Sequence, residues 1–167
     1  MSHSDLSVED VSEESRYKLE HLLEESFTGM CLWHSKRTLE RIEVVKKAVL
    51  GGNDVGLAML RMMEPDLGYL YYIAVARAYR GRGVGGFLLD KSLEYFNEQD
   101  ANEVLAAIEE DNVESKRLFH SRGFQEVSYS DISKKYGRIR TANIWRKMLV
   151  VYGEIVLGKN LAPKLIE

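Results

Sequence analysis

Four glycines fall within six positions in the stretch Arg80-Gly81-Arg82-Gly83-Val84-Gly85-Gly86. Without a Cβ, glycine lets a backbone turn tightly and approach a ligand closely. A helix-patterned run begins at Val84, and the first N–H groups of a helix have no carbonyl one turn back, which favours an anion there. Arg80 and Arg82 add charge-assisted contacts suited to phosphate. The stretch reads as an anion cradle. Gly81, Gly83 and Gly86 also satisfy the dinucleotide pattern G-x-G-x-x-G, with Glu109-Glu110 after the next strand where a ribose-binding acid would stand. Three features oppose that reading. Ala76 to Arg80 separate the preceding strand from the glycines, a dinucleotide loop has no need of flanking arginines, and fewer than 45 residues follow Gly123. No Gly-Lys-Ser/Thr follows either, so the phosphate loop of nucleotide hydrolases is absent.

The elements that must hold such a loop show in the apolar spacing. Leu19, Leu22, Leu23 and Phe27 predict a helix over 12–27, and Leu39, Ile42, Val45 and Val49 a second over 36–50. Gly51 to Asp54 reads as a turn, Val55 to Met63 and Gly68 to Val75 as strands, and Pro65-Asp66 as the break between them. A helix follows over 84–99, then a short strand over 104–108. Asp111-Asn112 can cap a helix that runs to about Arg122 and stops at Gly123. Strands are expected over 124–130 and 142–151, with residues 1–10 and 153–167 as peripheral ends of a single domain spanning 1–167. This order predicts a mixed α/β (α+β) fold, a mostly antiparallel sheet with one parallel pair, flanked by helices.

Composition narrows the classes further. The 167 residues carry 23 basic and 26 acidic side chains, a net charge of −3, which argues against a bulk nucleic-acid binder. The lone Cys31 forms no intrachain disulfide and fits a reducing, cytoplasmic setting. Four histidines and one cysteine lack ligand spacing, so no metal is expected. Apolar runs of about five residues are far short of the ~20 that cross a bilayer, so no membrane partner is expected. Residues 116–147 hold nine basic side chains against Glu126 and Asp131, whereas residues 1–27 are acidic. Most of these charges read as solvated surface.

Arg80-x-x-Gly83-x-Gly85 resembles the Q/R-x-x-G-x-G/A loop of the GNAT acetyltransferase superfamily. Asn112-x-x-Ser115-x-x-Leu118-Phe119-x-x-x-Gly123-Phe124 resembles that family's N-x-x-A-x-x-L-Y-x-x-x-G-F segment, about 30 residues later. The resemblance covers about Val55 to Phe124. It implies a splayed parallel strand pair and acetyl-CoA as cosubstrate. It implies that the backbone of Ile73, Ala74 and Val75 binds the pantetheine arm. Arg80, Gly81, Arg82, Gly83, Val84, Gly85 and Gly86 would wrap the pyrophosphate, with Asn112, Ser115 and Phe119 completing the cofactor contacts. The reaction implied is direct attack of a primary amine on the thioester.

Three positions depart from the family pattern. The tyrosine that usually protonates the leaving thiolate falls at Phe119, for which Ser115, Tyr129 and Tyr136 are conceivable substitutes. The glutamate of some members falls at Tyr69, which occupies that catalytic position, and the glutamate of others falls at Ala107. Leu105, Ala107 and Glu109 share one strand face, so Glu109 is the replacement base. His120, one residue beyond Phe119, is turned ~100° away on a helix and reads as a solvated helix-end histidine. Trp33 and His34 stand in the region that lines the acceptor site in this family. A site without a dedicated base favours an acceptor that is already partly neutral. Deprotonating a lysine-like amine near pH 7 costs about 4 kcal/mol, an α-amine about 1, so a peptide or protein α-amine is the expected acceptor. A catalytically weak CoA-binding module acting as a sensor or partner protein is the alternative, and in either case a monomer or homodimer is expected.

Overall fold

The computed structural model describes residues 5–162. Its strands are β1 (Leu6–Asp10), β2 (Val44–Leu50), β3 (Asn53–Glu64), β4 (Leu67–Val75), β5 (Glu103–Glu109), β6 (Gln125–Glu126) and β7 (Glu154–Asn160). Its helices are α1 (Glu20–Ser26), α2 (Gly29–Arg41), α3 (Val84–Glu98), α4 (Val113–Ser121), α5 (Tyr129–Tyr136) and α6 (Arg138–Met148). One sheet carries the strands in the order β1-β2-β3-β4-β5-β7-β6. The β1–β2, β2–β3, β5–β7 and β6–β7 pairs are antiparallel. Neighbours β4 and β5 are instead joined through α3, the crossover that parallel strands require, so the sheet is mixed as expected. Among the described residues no helix is long and apolar enough to cross a membrane.

Two compact units divide the chain: residues 5–61 with 70–95, and residues 62–69 with 96–162. In the first, Leu19, Leu22 and Leu23 are buried at the predicted helical spacing, against Leu39, Ile42, Val45, Leu57 and Met59. The 3-10 turn Glu13–Leu19 leads into α1. It carries Arg16, only 5% exposed, whose guanidinium donates to the carbonyls of Leu39 (3.2 Å), Ile42 (2.7 Å) and Glu43 (3.4 Å). These carbonyls lie at the end of α2, where a helix has no partners of its own and its dipole favours a cation.

The helix expected over 36–50 is corrected here: α2 spans Gly29–Arg41, and Val44–Leu50 is strand β2. Pairing with β3 is regular from Val44 to Ala48 and shifts only after Ala48, so the buried Val45 and Ala48 face opposite sides of the sheet. That spacing of three imitates a helix. The expected turn is present at Gly51 and Gly52, with φ of 58° and 79°, and joins β2 to β3.

In the second unit, β5 pairs with β7 along its whole length, from Glu103 opposite Asn160 to Glu109 opposite Glu154. Val104, Leu105, Phe119, Phe124, Ile132, Ile144, Met148 and Leu157 form its buried interior. Three expectations fail here. The strand over 124–130 is reduced to the two residues of β6, because Ser128 and Asp131 close a capping box that starts α5. The strand over 142–151 is α6, which buries Thr141, Ile144 and Met148 at helical spacing. The ends are also not peripheral: β1 pairs with β2, and β7 lies between β5 and β6. Residues 1–4 and 163–167 of those ends lie outside the described residues.

The helical pair α5–α6 is tied down by charge. Glu103, at 6% exposure, accepts hydrogen bonds from the Tyr136 hydroxyl and from Lys135 Nζ at 2.8 Å. Arg140 lies 4.6 Å from the Tyr136 ring centre and pairs with Asp66 at 2.5 Å. Lys147 Nζ donates to the Met63 carbonyl at 3.2 Å.

Candidate functional site

In the first unit, β4 delivers the chain to the glycine stretch, and α3 starts at Val84, which is 1% exposed. Gly81 and Gly83 have φ of 71° and 84°, a region that side chains with a Cβ rarely adopt, so glycine is required at both. Phe87 N–H bonds back to the Gly83 carbonyl at 2.9 Å, the first bond of this kind in α3. The amides of Val84, Gly85 and Gly86 therefore have no carbonyl one turn back. Gly56 on β3 permits this approach of helix to strand: a Cβ there would lie 2.9 Å from Leu88 Cδ1, 3.0 Å from the Ala74 carbonyl and 3.2 Å from Val84 Cγ1. The start of α3 thus presents a run of backbone amides beside two glycine turns.

Arg80 departs from its expected role. Its Nε donates to the Val75 carbonyl at 3.0 Å, and Nη2 donates to the Glu25 carbonyl (2.9 Å) and Ser26 Oγ (3.3 Å). Glu25 Oε2 in turn accepts the N–H of Arg77 at 2.6 Å, where the 3-10 turn Arg77–Tyr79 begins. Arg82 lies 5.6 Å from the Tyr79 ring centre. Of the expected pantetheine segment, Ala74 is buried, Ile73 and Val75 are half-buried, and the Val75 carbonyl already serves Arg80. On α2, Trp33 is 51% exposed, with Arg37 4.8 Å from its ring centre and His34 packed edge-on at 4.9 Å.

The second unit holds the other expected residues. Asn112 is the N-cap of α4: its Oδ1 accepts the Ser115 N–H at 2.9 Å, and its own N–H donates to the Glu109 carbonyl at 3.1 Å. Glu109, Asn112 and Ser115 are thereby brought together at the end of β5. Phe119 is buried and packs edge-on against Phe124, with ring centres 5.0 Å apart. His120 is exposed, and its Nδ1 donates to the Phe124 carbonyl at 3.0 Å.

Tyr69 is 2% exposed and donates its hydroxyl to the Met148 carbonyl at 3.2 Å, where α6 ends. This placement is that of a core residue capping a helix, and it opposes the catalytic role expected at that position. Tyr136, considered as a proton donor, has its pKa raised by burial first and then by its hydrogen bond to Glu103. Its proton is thus held where it is.

Two acidic residues with structural company escaped the sequence reading. Glu25 is indistinguishable in sequence from its acidic neighbours in α1. Glu154 lies in a stretch whose pattern is ambiguous. Strand pairing sets Glu154 directly across from Glu109, on the same sheet face as Ala107. Burial raises its pKa, with the Glu109 charge adding, while a 3.0 Å bond from the Val151 N–H opposes the rise. A carboxyl poised in this way can take up a proton nearer neutral pH than an exposed one.

The family model described as "Acetyltransferase (GNAT) family" matches residues 8–124. Among solved structures, an acetyltransferase of the GNAT family from Staphylococcus aureus Mu50 superposes with a TM-score of 0.71 at 16% identity, covering 94% of this chain and 99% of that one. The ribosomal-protein-S18-alanine N-acetyltransferase of Escherichia coli gives 0.68 at 14% identity, covering 97% and 99%. Mycothiol acetyltransferase from Corynebacterium aurimucosum is 37% identical over 60 residues, covering 36% of this chain and 20% of that protein. Its counterpart from Corynebacterium glutamicum is 30% identical over 74 residues, covering 44% and 25%. The chain thus spans a fifth to a quarter of the length of these curated relatives. The match over 8–124 runs from β1 through the amide cradle to the end of α4, and by it the chain belongs to the GNAT acetyltransferase family.

Proposed function

We propose that this chain transfers the acetyl group of acetyl-CoA to a primary amine, with a peptide or protein α-amine as acceptor. The observation that carries the reading is the amide cradle at the start of α3, on which the family match also bears. The backbone of Ile73 to Val75 receives the pantetheine arm and the amides from Gly81 to Gly86 hold the pyrophosphate. Asn112, Ser115 and Phe119 complete the cofactor contacts. The amine nitrogen attacks the thioester carbonyl, the C–S bond breaks, and the amine proton is replaced on sulfur by one from solvent. Glu109 takes up the amine proton, directly or through water, with Glu154 beside it.

The acceptor class rests on proton energetics. With no glutamate at Tyr69 or Ala107 to serve as a dedicated base, an α-amine with pKa near 8 is favoured over an ε-amine near 10.4. One structural neighbour is titled a ribosomal-protein-S18-alanine N-acetyltransferase, which accords with a protein substrate. The enzyme is read as cytoplasmic, monomeric or homodimeric, and without a metal.

A second reading, a CoA-binding module with little turnover, is favoured by one observation. Phe119 places a hydrocarbon ring, packed on Phe124, at the family's proton-donor position.

Thermal unfolding with acetyl-CoA, 3′-dephospho-CoA and NAD at matched concentrations tests the cofactor. At 100 times its dissociation constant a ligand stabilises by about 2.7 kcal/mol, several degrees of midpoint. A shift with acetyl-CoA and none with NAD is expected, and the reverse refutes the reading. Thiol release with peptides bearing a free amino terminus, against the same peptides blocked there but carrying lysine, then decides the acceptor. Higher kcat/KM for the lysine peptides refutes the α-amine assignment, and no thiol release with any amine favours the binding module.

A further inference from the structure

We infer that Glu25, at the end of α1, is a positioning residue for the cofactor loop, and that Arg80 is its partner in a two-point cap rather than a phosphate ligand. The inference rests on the cofactor reading above for its functional consequence, but the cap itself does not.

Glu25 accepts twice, once through its backbone and once through its side chain. The carbonyl of Glu25 is among the last in α1, where a helix leaves its acceptors unpartnered, and Arg80 Nη2 donates to it at 2.9 Å. The N–H of Arg77 opens the 3-10 turn, whose N-cap residue Ala76 offers no side-chain cap, and Glu25 Oε2 accepts it at 2.6 Å. One residue of α1 therefore satisfies the start of the turn with its side chain and the loop arginine with its backbone. Arg80 extends the same tie to the end of β4 through the Val75 carbonyl and to Ser26 through Oγ. All four bonds link chain segments 5 to 55 residues apart, so they fix the loop from two sides.

A loop held in this way reaches its ligand already shaped. Gly81 and Gly83 have wide conformational freedom, and every conformation available to the free loop lowers the affinity of the one that binds. The charge of Arg80 faces protein carbonyls, so the phosphate is left to the amides of α3. Removing the Glu25 carboxylate should loosen the loop without touching the reacting groups.

The experiment compares the wild-type chain with Glu25→Ala and Glu25→Gln. Amide hydrogen exchange over 77–86 is measured without ligand, followed by calorimetric titration with acetyl-CoA and by steady-state kinetics. Glu25→Ala should speed exchange over 77–86 and raise the Kd and KM for acetyl-CoA about tenfold, the effect of one charge-assisted hydrogen bond, with kcat within twofold. Glu25→Gln retains an acceptor oxygen for the Arg77 N–H and should recover affinity to within about threefold. Unchanged exchange in Glu25→Ala, or a fall in kcat at constant KM, overturns the inference. If exchange speeds up while the wild-type chain binds no acetyl-CoA, the cap stands and the cofactor reading is the one that falls.

Discussion

Arg16 is a buried guanidinium facing carbonyls only, which makes Arg16→Met an informative perturbation. Methionine keeps much of the apolar stem and removes the charge and its donors. The bonds to Ile42 at 2.7 Å and Leu39 at 3.2 Å are well formed, whereas the one to Glu43 at 3.4 Å is marginal. Hydrogen bonds from a charged donor contribute about 1.5–3 kcal/mol each, so the two good ones amount to roughly 3–6 kcal/mol. Against this, the variant no longer buries Arg16 Nε, which has no partner, a relief of about 1–3 kcal/mol. Taking the middle of each range, the net loss is about 2.5 kcal/mol. For a chain of this length that lowers the thermal midpoint by about 5–10 °C. Urea titration should show a lower midpoint with the slope unchanged. Arg16→Lys keeps the charge but not the fork, so it should fall between the two. A methionine variant as stable as the wild type would mean that desolvation outweighs the carbonyl bonds, and the argument would be wrong.

Two further expectations concern the site. Glu154 has a folded-state pKa above its unfolded value, so its ionisation opposes folding: the contribution is fully present below the unfolded pKa and is lost as pH rises through the folded one. Glu154→Gln should therefore raise the thermal midpoint at about pH 8 and leave it unchanged near about pH 4; a loss of stability at the higher pH would contradict the assigned cause. Tyr69→Phe removes only the hydroxyl bonded to Met148 and should cost about 1 kcal/mol of stability with kcat intact. A hundredfold fall in kcat would restore a catalytic role to Tyr69.

What was legible in the sequence had local causes. The glycine stretch, the Asn112 cap and the stop at Gly123, with φ of 84°, each state their geometry within a few residues. Strand β2 was not legible because Val45 and Val49 continue the helical spacing of Leu39 and Ile42 across the end of α2. Helix α6 was missed because Ile139, 83% exposed, breaks the amphipathic pattern at its start. The roles of Arg16 and Glu25 were out of reach for another reason. Their partners lie 23 to 27 and 52 residues away, and nothing near either residue announces them. The same holds for Glu154, whose character comes from the strand it faces.

The place of β7 between β5 and β6 bears on how the protein is made. At about 5–20 residues per second, a ribosome needs about 2–9 s to pass from Glu109 to Glu154. Throughout that interval the Val104–Ile108 run has no β7 to cover it, and β6, which pairs with β7, has no strand to join. An uncovered apolar edge is a template for aggregation. Nascent chains stalled late in translation, or cut before Glu154, should consequently depend on chaperones and be cleared by proteases. A C-terminal fusion therefore calls for a linker placed beyond Asn160.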